Sequence, residues 1–486
     1  MIELVLLAAT ILLVLMVENK RREKTYKFFY KLPYPFWIPI IGNSYIFVKR
    51  NILKVLQKTY KIYGDSYILY IPHRTYFSSI PEEIKIILNN PHCLNKSKEY
   101  HHLEIILPNT VFLVKAQRWR KLRKILSKSF KPSILDLFTD TFYEKSCVLV
   151  DILKKDNEQD ICYLFQKLTL DNFSEATLGV KSTILQDEKE HIFVTGVKEI
   201  QRLAFNRIGN LIKMNDFLFS CMRDCKDIKY YINALYRHIS KIMAEKRVLM
   251  ANENDAMLNT SKLPILDLLL QVSEKEELTN EYIEEEMVLF AAAATDTTAY
   301  SMAFTCFMLA LHPEIQEKVY QEVMSVCGNQ EIETSNLNDL KYTEMVISEA
   351  QRLFPVIPMI GRTNTVDIDL GDKIIPANTN ITLNYMALHR NPKYYTDPLV
   401  FNPNRFLPEE IAKRPPYTFL PFSAGPRNCI GMKYALMVMK TSIANIVRHF
   451  YLTTSHKSFE EIDVESSAVL MPITPLDIKY TEREIN

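Results

Sequence analysis

The sequence predicts a mainly α-helical protein with small β-sheets, and two features of its 486 residues favour that fold class. Helical periodicity dominates from about residue 119 onward. Strand-like segments are few and short, at 67–71, 76–79, 373–375 and 381–383, with Gly371-Asp372 as a hairpin turn. An apolar stretch of 25 residues, Met287 to Leu311, carries one charge, Asp296. It is long enough to span a membrane, but a mid-span charge is costly in lipid, so we interpret it as the central helix of a large domain.

Composition excludes several classes of protein. The net charge of +2 is too small to favour nucleic acid as a partner. The eight cysteines are dilute and do not resemble a secreted disulfide framework. Cys221 and Cys225, one helical turn apart, could form half of a metal site, but the sequence offers no matching pair. We therefore expect a globular protein organised around one site, although length alone suggests about three domains.

The N-terminus predicts a short membrane anchor. Residues 4–17 form an apolar run, and basic residues follow at 20–24. A cleaved signal peptide and a short buried helix are the alternatives, but a signal carries its basic residues before the run, and no small-x-small cleavage site follows here. The positive-inside tendency would keep the rest of the chain cytoplasmic. We predict an anchor at 1–19, a basic and proline-rich hinge at 20–43, and one domain at 44–486.

A glycine-bounded loop near the C-terminus, Phe422-Ser-Ala-Gly425-Pro-Arg427-Asn-Cys429-Ile-Gly431, carries the clearest chemical signal. An apolar, helix-like stretch follows it, so a Cys429 thiolate would lie near a helix N-terminus, where negative charge is favoured. Thiolate is a suitable axial ligand for haem iron that activates dioxygen. The alternative is a buried structural cysteine in a turn. The loop resembles the haem-binding loop of the cytochrome P450 monooxygenases, F-x-x-G-x-R-x-C-x-G, at all five fixed positions.

The resemblance implies the cytochrome P450 fold, a single large haem domain after the anchor. It also implies haem b bound non-covalently apart from the bond between Cys429 and iron. In this family Phe422 and Arg427 would be cofactor-binding residues. Trp119 and Arg123 match the family's W-x-x-x-R helix, and with Arg362 and Arg427 they would hold the haem propionates. The alternative for Trp119 and Arg123 is a basic amphipathic surface helix.

The middle of the central helix, Ala293-Ala294-Thr295-Asp296-Thr297-Thr298, resembles the family's oxygen-binding motif, A/G-G-x-D/E-T-T/S. The Thr297 hydroxyl can compete for the Ala293 carbonyl and loosen the helix. The resemblance implies that Asp296 and Thr297 deliver protons during dioxygen activation; alone, such a threonine is more often a packing residue. Ala294 departs from the usual glycine. Some family-4 enzymes esterify haem through a glutamate at the position of Ala293, so no such covalent link is expected here.

Glu349 and Arg352 lie three residues apart on one predicted helical face. Such a pair is common on protein surfaces. Together with Arg405, in a segment similar to the family's P-E-R-F element, it resembles the buried structural triad that supports the cysteine loop. Asn404 replaces the commoner glutamate of that element, and Val438 stands where many relatives have an acid.

Residues 115–131 contain eight lysines and arginines and no acid. This is either a solvated face or a docking surface for an acidic electron donor. The chain has ten glycines and no G-x-G-x-x-G fingerprint, so no nicotinamide or flavin domain is expected. Electrons must therefore arrive from another protein. The resemblance implies that they come from NADPH through NADPH–cytochrome P450 reductase, with cytochrome b5 as a further candidate.

The pattern is most similar to microsomal, family-4-like enzymes, including those of insects. It implies an endoplasmic reticulum membrane protein that inserts one oxygen atom from O2 into an apolar small molecule, such as a fatty acid, a hormone or terpenoid, or a xenobiotic such as an insecticide. Substrate-lining regions would fall at 97–114, 200–215, 289–297, 356–361 and 466–472. Two alternatives stay open, namely a same-fold isomerase or dehydratase that does not use O2, and a non-enzymatic haem sensor.

Overall fold

The computed structural model describes ten stretches of the chain. These are residues 28–29, 31–38, 41–47, 51–71, 73–156, 159–208, 210–252, 264–273, 275–276 and 278–484. The predicted anchor at 1–19 and the start of the hinge lie outside these residues. Among the helices of the described stretches, none is both long enough and apolar enough to cross a membrane.

The fold is mainly α-helical with small β-sheets, as predicted, and the helices occur along the whole described chain. They are α1 Ile52–Tyr63, α2 Pro81–Asn89, α3 Ala116–Leu126, α4 Pro132–Leu135, α5 Thr139–Lys155, α6 Ile161–Phe173, α7 Ile192–Phe205, α8 Leu211–Met214, α9 Asp216–Ser220, α10 Arg223–Asn252, α11 Ile265–Val272, α12 Asn280–Leu311, α13 Pro313–Val326, α14 Thr334–Asp339, α15 Lys341–Leu353, α16 Tyr385–His389, α17 Pro408–Ala412 and α18 Met432–His449. The expectation that helices dominate only from about residue 119 missed α1 and α2. Asn51 and Gly64, which cap α1 at its two ends, were available signals of the first.

The strands form one four-stranded sheet and three two-stranded sheets among the described residues. They are β1 Ser66–Tyr70, β2 Arg74–Ser78, β3 Met359–Thr363, β4 Ile368–Asp369, β5 Ile374–Ile375, β6 Asn380–Asn384, β7 Phe450–Thr453, β8 Val464–Ser467, β9 Val469–Pro472 and β10 Lys479–Glu482. The larger sheet has the order β1-β2-β6-β3, and its β2–β6 pair is parallel. The predicted turn at Gly371-Asp372 joins β4 to β5. The sequence did not predict β3, β4 or the four strands after α18.

Helix α12 is the centre of the fold. It begins after Thr279, whose hydroxyl accepts the Tyr282 backbone N–H at 3.2 Å, and it ends before Pro313, which starts α13. At 1.5 Å per residue its 32 residues span about 48 Å. All the side chains from Ala299 to Ala310 are buried, which explains why this part of the helix carries no charge. Helix α6 packs along it, and the Thr169 hydroxyl donates to the Thr295 carbonyl at 3.1 Å.

Candidate active site

A cavity of about 310 Å³ lies between α12 and the cysteine loop, residues 422–431. Ala293, Ala294 and Thr297 line it from α12, and Phe422 and Cys429 line it from the loop. Most of its surface is apolar. The structure thus brings together residues that lie more than 120 positions apart in the sequence.

The cysteine loop has a fixed backbone. The Cys429 N–H donates to the Phe422 carbonyl at 3.0 Å, and the Asn428 N–H donates to the Gly425 carbonyl at 3.1 Å. Gly425 has a φ of +72°, and a Cβ there would lie 2.2 Å from the Leu88 carbonyl oxygen. A side chain at this position would therefore displace the loop from α2.

Cys429 opens onto the cavity, and α18 begins three residues later. Burial raises the pKa of the Cys429 thiol, whereas a hydrogen bond from the Gly431 N–H and the charge of Arg123 oppose that rise. Metal binding deprotonates a thiol outright, so these two groups would then stabilise the thiolate.

Arg123 holds the loop directly. Its Nη1 donates to the Asn428 carbonyl at 3.0 Å, and its Nη2 donates to the Asn428 side-chain oxygen at 2.9 Å. Trp119, one turn earlier on α3, is buried and lines the cavity. Both residues therefore line the cavity, and Arg123 also contacts the residue before the cysteine.

Arg427 and Arg362 lie on the same side of the site. Arg427 donates to the Leu94 and Val114 carbonyls at 2.7 Å each and packs over the Trp119 ring, 5.3 Å from its centroid. Burial and the charge of Arg362 lower the pKa of Arg427. Arg362, on β3, is buried and donates to the Gly361 carbonyl at 3.0 Å. It is not among the residues that line the cavity.

Lys96 is a fourth cation that sequence reasoning missed. Its Nζ lies 4.1 Å from the Phe112 ring centroid and 4.8 Å from the Tyr100 ring centroid, and it lines the cavity. Burial, followed by the charges of Arg362 and Arg427, lowers its pKa well below the usual value. No motif marks Lys96, because the arginines near it, Arg362 and Arg427, come from distant parts of the chain.

This set of cations fits a haem. Within the described chain, no carboxylate forms an ion pair with Lys96, Arg123, Arg362 or Arg427. Buried cations without counter-ions are unfavourable, and two propionates would supply the missing negative charge. An apolar cavity with a cysteine sulfur on one wall provides the rest of what a thiolate-ligated haem requires.

Asp296 and Thr297 are adjacent in sequence but face different surroundings. The Thr297 hydroxyl lines the cavity and donates to the Ala293 carbonyl at 2.7 Å, which confirms the predicted hydrogen bond. Helix α12 is nevertheless continuous there, so the bond does not break it. The Asp296 carboxylate accepts from the Gln166 and Gln201 side chains at 2.8 Å each. Burial raises the pKa of Asp296 to about 6, and the two amides oppose that rise.

Glu349, Arg352 and Arg405 meet below the loop. Arg352 donates to both carboxylate oxygens of Glu349, at 2.7 and 2.8 Å, and both side chains are fully buried. Arg405 Nε lies 3.4 Å from Glu349. Arg352 also donates to the carbonyls of His389 and Pro398, at 2.9 and 2.7 Å. The three residues therefore join α15 to the segment that leads to the cysteine loop.

Three of the five predicted lining regions reach this cavity. Val111 and Phe112 come from the first region. The third region contributes Leu289, Phe290, Ala293, Ala294 and Thr297, and the fourth contributes Val356, Ile357 and Ile360. Among the described residues, the regions 200–215 and 466–472 contribute none of the lining. Gln201 instead contacts Asp296 from behind α12.

Comparison with known proteins agrees with this geometry. The family model for Cytochrome P450 matches residues 32–480. Cytochrome P450 4c3 of Drosophila melanogaster is 33% identical over 99% of this chain and 94% of its own length. Cytochrome P450 4c21 of Blattella germanica is 30% identical over 97% of each chain. Human Cytochrome P450 4V2 is 32% identical over 83% of this chain and 79% of its own. The predicted similarity to family-4 and insect members is confirmed.

Proposed function

We propose that this chain, which belongs to the cytochrome P450 family and is a haem b monooxygenase, oxidises apolar small molecules in the cavity beside Cys429. One observation carries the proposal most directly. A cysteine three residues before a helix and three cations without a carboxylate partner among the described residues, Lys96, Arg123 and Arg427, border one apolar cavity. When bound, haem supplies the dioxygen chemistry that puts one oxygen atom into the substrate and the other into water.

We assign the cofactor-holding roles to residues of the cavity wall and to Arg362, which is outside the lining but close enough to Arg427 to lower its pKa. Cys429 would be the axial ligand, supported by the Gly431 N–H and by Arg123. Trp119, Arg123, Arg362 and Arg427 would hold the propionates, and Lys96 joins them on the evidence of its position. Phe422 lines the cavity beside the ligand.

Asp296 and Thr297 would move protons. The Thr297 hydroxyl faces the cavity, whereas Asp296 lies behind it, in contact with the half-buried Gln201. A carboxyl group with a pKa of about 6 exists in both protonation states near neutral pH, as a group that gives and regains protons must. We infer that Asp296 draws protons from the side of α12 that faces Gln201 and passes them towards Thr297.

Electrons would come from NADPH–cytochrome P450 reductase, with cytochrome b5 as a further donor. Seven of the eight basic residues at 115–131 are exposed, and the eighth, Arg123, faces the cavity. Helix α3 thus presents basic side chains to solvent on one face and lines the cofactor cavity with the other. An acidic electron donor that binds the basic face would lie close to the haem. We place the enzyme at the endoplasmic reticulum membrane, facing the cytoplasm, on the basis of the apolar run at 4–17 and the basic residues after it.

The substrate would be apolar, because the cavity that Thr297 lines is also lined by aliphatic and aromatic side chains. Examples are Val111, Phe112, Leu289 and Ile360. Fatty acids, hormones or terpenoids, and xenobiotics including insecticides all satisfy this condition.

The test is turnover under ¹⁸O2 with purified reductase and NADPH, using lauric acid and a panel of apolar compounds. We expect NADPH-dependent products that carry one ¹⁸O atom. Rearrangement of a fatty-acid hydroperoxide without reductase or O2 would instead establish an isomerase. Absence of turnover across the panel, combined with reversible gas binding, would indicate a sensor.

A further inference from the structure

One wall of the cavity is an irregular segment, residues 107–114, here called the wall segment. Val111 and Phe112 line the cavity, and Thr110 is fully buried. The carbonyls of Val111 and Val114 accept hydrogen bonds from Arg427 Nη2. The wall segment therefore borders the substrate space and also contacts a cation of the cofactor site. Because it has no regular secondary structure, other groups must fix its position.

Two adjacent glutamates of α12 bind the wall segment. Glu285 accepts from the Asn109 N–H at 2.9 Å and from the Asn109 side-chain amide at 3.2 Å. Glu286 Oε1 accepts from the Val111 N–H and from the Tyr282 hydroxyl, the latter at 2.8 Å. Glu286 thus bonds the backbone of a residue that itself forms the cavity surface. Neither glutamate lines the cavity.

Glu286 is placed where an ionised carboxylate is unfavourable. Its side chain is fully buried, its Oε2 has no hydrogen-bond partner among the described residues, and no described cation forms an ion pair with it. Burial raises the pKa of Glu286 to about 8. A group that serves by accepting two hydrogen bonds does not need a charge, so a glutamine should be able to replace it.

We propose that Glu286 is a positioning residue that sets the shape of the substrate wall by fixing Val111, and with it Phe112. The proposal rests on the proposed function, because it assigns the substrate to this cavity. Glu286 would then influence substrate recognition through Val111 and Phe112, without contacting the substrate itself. A change at Glu286 should therefore alter which substrates and which substrate carbons are oxidised.

The first test is hydrogen exchange of the peptide that contains the wall segment, in the haem-loaded protein. Glu286→Leu leaves the Val111 N–H and the Tyr282 hydroxyl without an acceptor, so exchange of this peptide should accelerate by about tenfold. Glu286→Gln keeps an acceptor oxygen and should exchange like the wild type. Equal exchange in all three proteins would overturn the proposal.

The second test compares the dissociation constants of two ligands of the haem iron that differ in size, because the larger one is sensitive to the shape of the wall. Imidazole is small, whereas 4-phenylimidazole must place its ring against the cavity walls. In Glu286→Leu the ratio of the two dissociation constants should change by about tenfold, and Glu286→Gln should restore the wild-type ratio. An unchanged ratio, or an equal change in Glu286→Gln, would contradict a positioning role.

Should Glu286→Leu fail to fold, Glu286→Asp provides the same tests, because its side chain is about 1.5 Å shorter and withdraws the acceptor from Val111. The two proposals fail differently. If the wild type binds no imidazole at haem, the proposed function is wrong. If it does and the variants leave both readouts unchanged, the role of Glu286 alone is wrong.

Discussion

The side-chain amide of Gln201 donates a 2.8 Å hydrogen bond to the Asp296 carboxylate, from α7 to the central helix. Gln166, fully buried on α6, donates a second bond of the same length to the other carboxylate oxygen. Asp296 is thus held by two neutral amides. The pKa of a buried carboxyl held in this way depends on each amide, since both stabilise its charged form.

Replacing Gln201 by Leu should move the pH dependence of turnover. Asp296 has a pKa of about 6, above its usual value, so the carboxylate form is lost as pH falls through that value. Removing one amide raises the pKa further, and the acid side of the profile should move upward by about one pH unit. The measurement is kcat between pH 5.5 and 8.5, with the exposed Gln321→Leu as control. Superimposable profiles for Gln201→Leu and the wild type would count against a proton-delivery role for Asp296.

Thr297→Ala should separate NADPH consumption from product formation. Without the hydroxyl that faces the cavity, proton delivery is misdirected. Peroxide release per product formed should rise by about a hundredfold, the lower end of the range for general acid–base effects. Thr305→Ala is the matched control, because Thr305 makes the same bond to a carbonyl one turn back, at 2.7 Å, while buried away from the cavity. Equal coupling of NADPH use to product in both variants would contradict a proton-delivery role for Thr297.

Glu349→Gln should destabilise the whole protein. It leaves Arg352 fully buried without its bidentate carboxylate, at a cost of about 3–5 kcal/mol. Chemical denaturation followed by circular dichroism measures the loss. The control is Glu410→Gln, which breaks an exposed pair with Lys413 and should change the free energy of unfolding by about 1 kcal/mol or less. Similar losses in both variants would mean that the triad does not support the fold as argued.

Neutralising Arg120, Lys124 and Lys128 should weaken reductase-driven turnover. The reductase concentration for half-maximal rate should rise, and its dependence on salt should flatten, because fewer charges steer the encounter. Exposed Lys226, Lys229 and Lys241 on α10, also neutralised, provide a control of equal charge. An effect of the same size in the control would assign it to net charge rather than to a docking surface on α3.

Short motifs account for what the sequence could predict. The cysteine loop, the Asp296–Thr297 motif and the Glu349–Arg352 pair each lie within about ten residues, so their spacing is readable. The central helix was predicted from its apolar run. Its start was set seven residues late, because Asn280 to Glu286 is polar and only the Thr279 cap marks it.

Long-range partners could not be predicted in this way. Gln166 meets Asp296 across 130 residues, and Val111 meets Glu286 across 175. In both pairs, the sequence around one residue contains no signal that identifies its partner. The same holds for Lys96, whose neighbours Arg362 and Arg427 are brought to it by the sheet and the cysteine loop. The missed strands are five residues long or shorter, and strands of that length give weak periodic signals.

The most direct test of the central claim is the carbon-monoxide difference spectrum of the reduced protein, recorded for the wild type, Cys429→Ser and the exposed-cysteine control Cys221→Ser. We predict a strongly red-shifted Soret band in the wild type and in Cys221→Ser, and its loss in Cys429→Ser. A wild-type band typical of histidine or thiol ligation, or a red-shifted band that survives in Cys429→Ser, would contradict the assignment of Cys429 as the haem ligand.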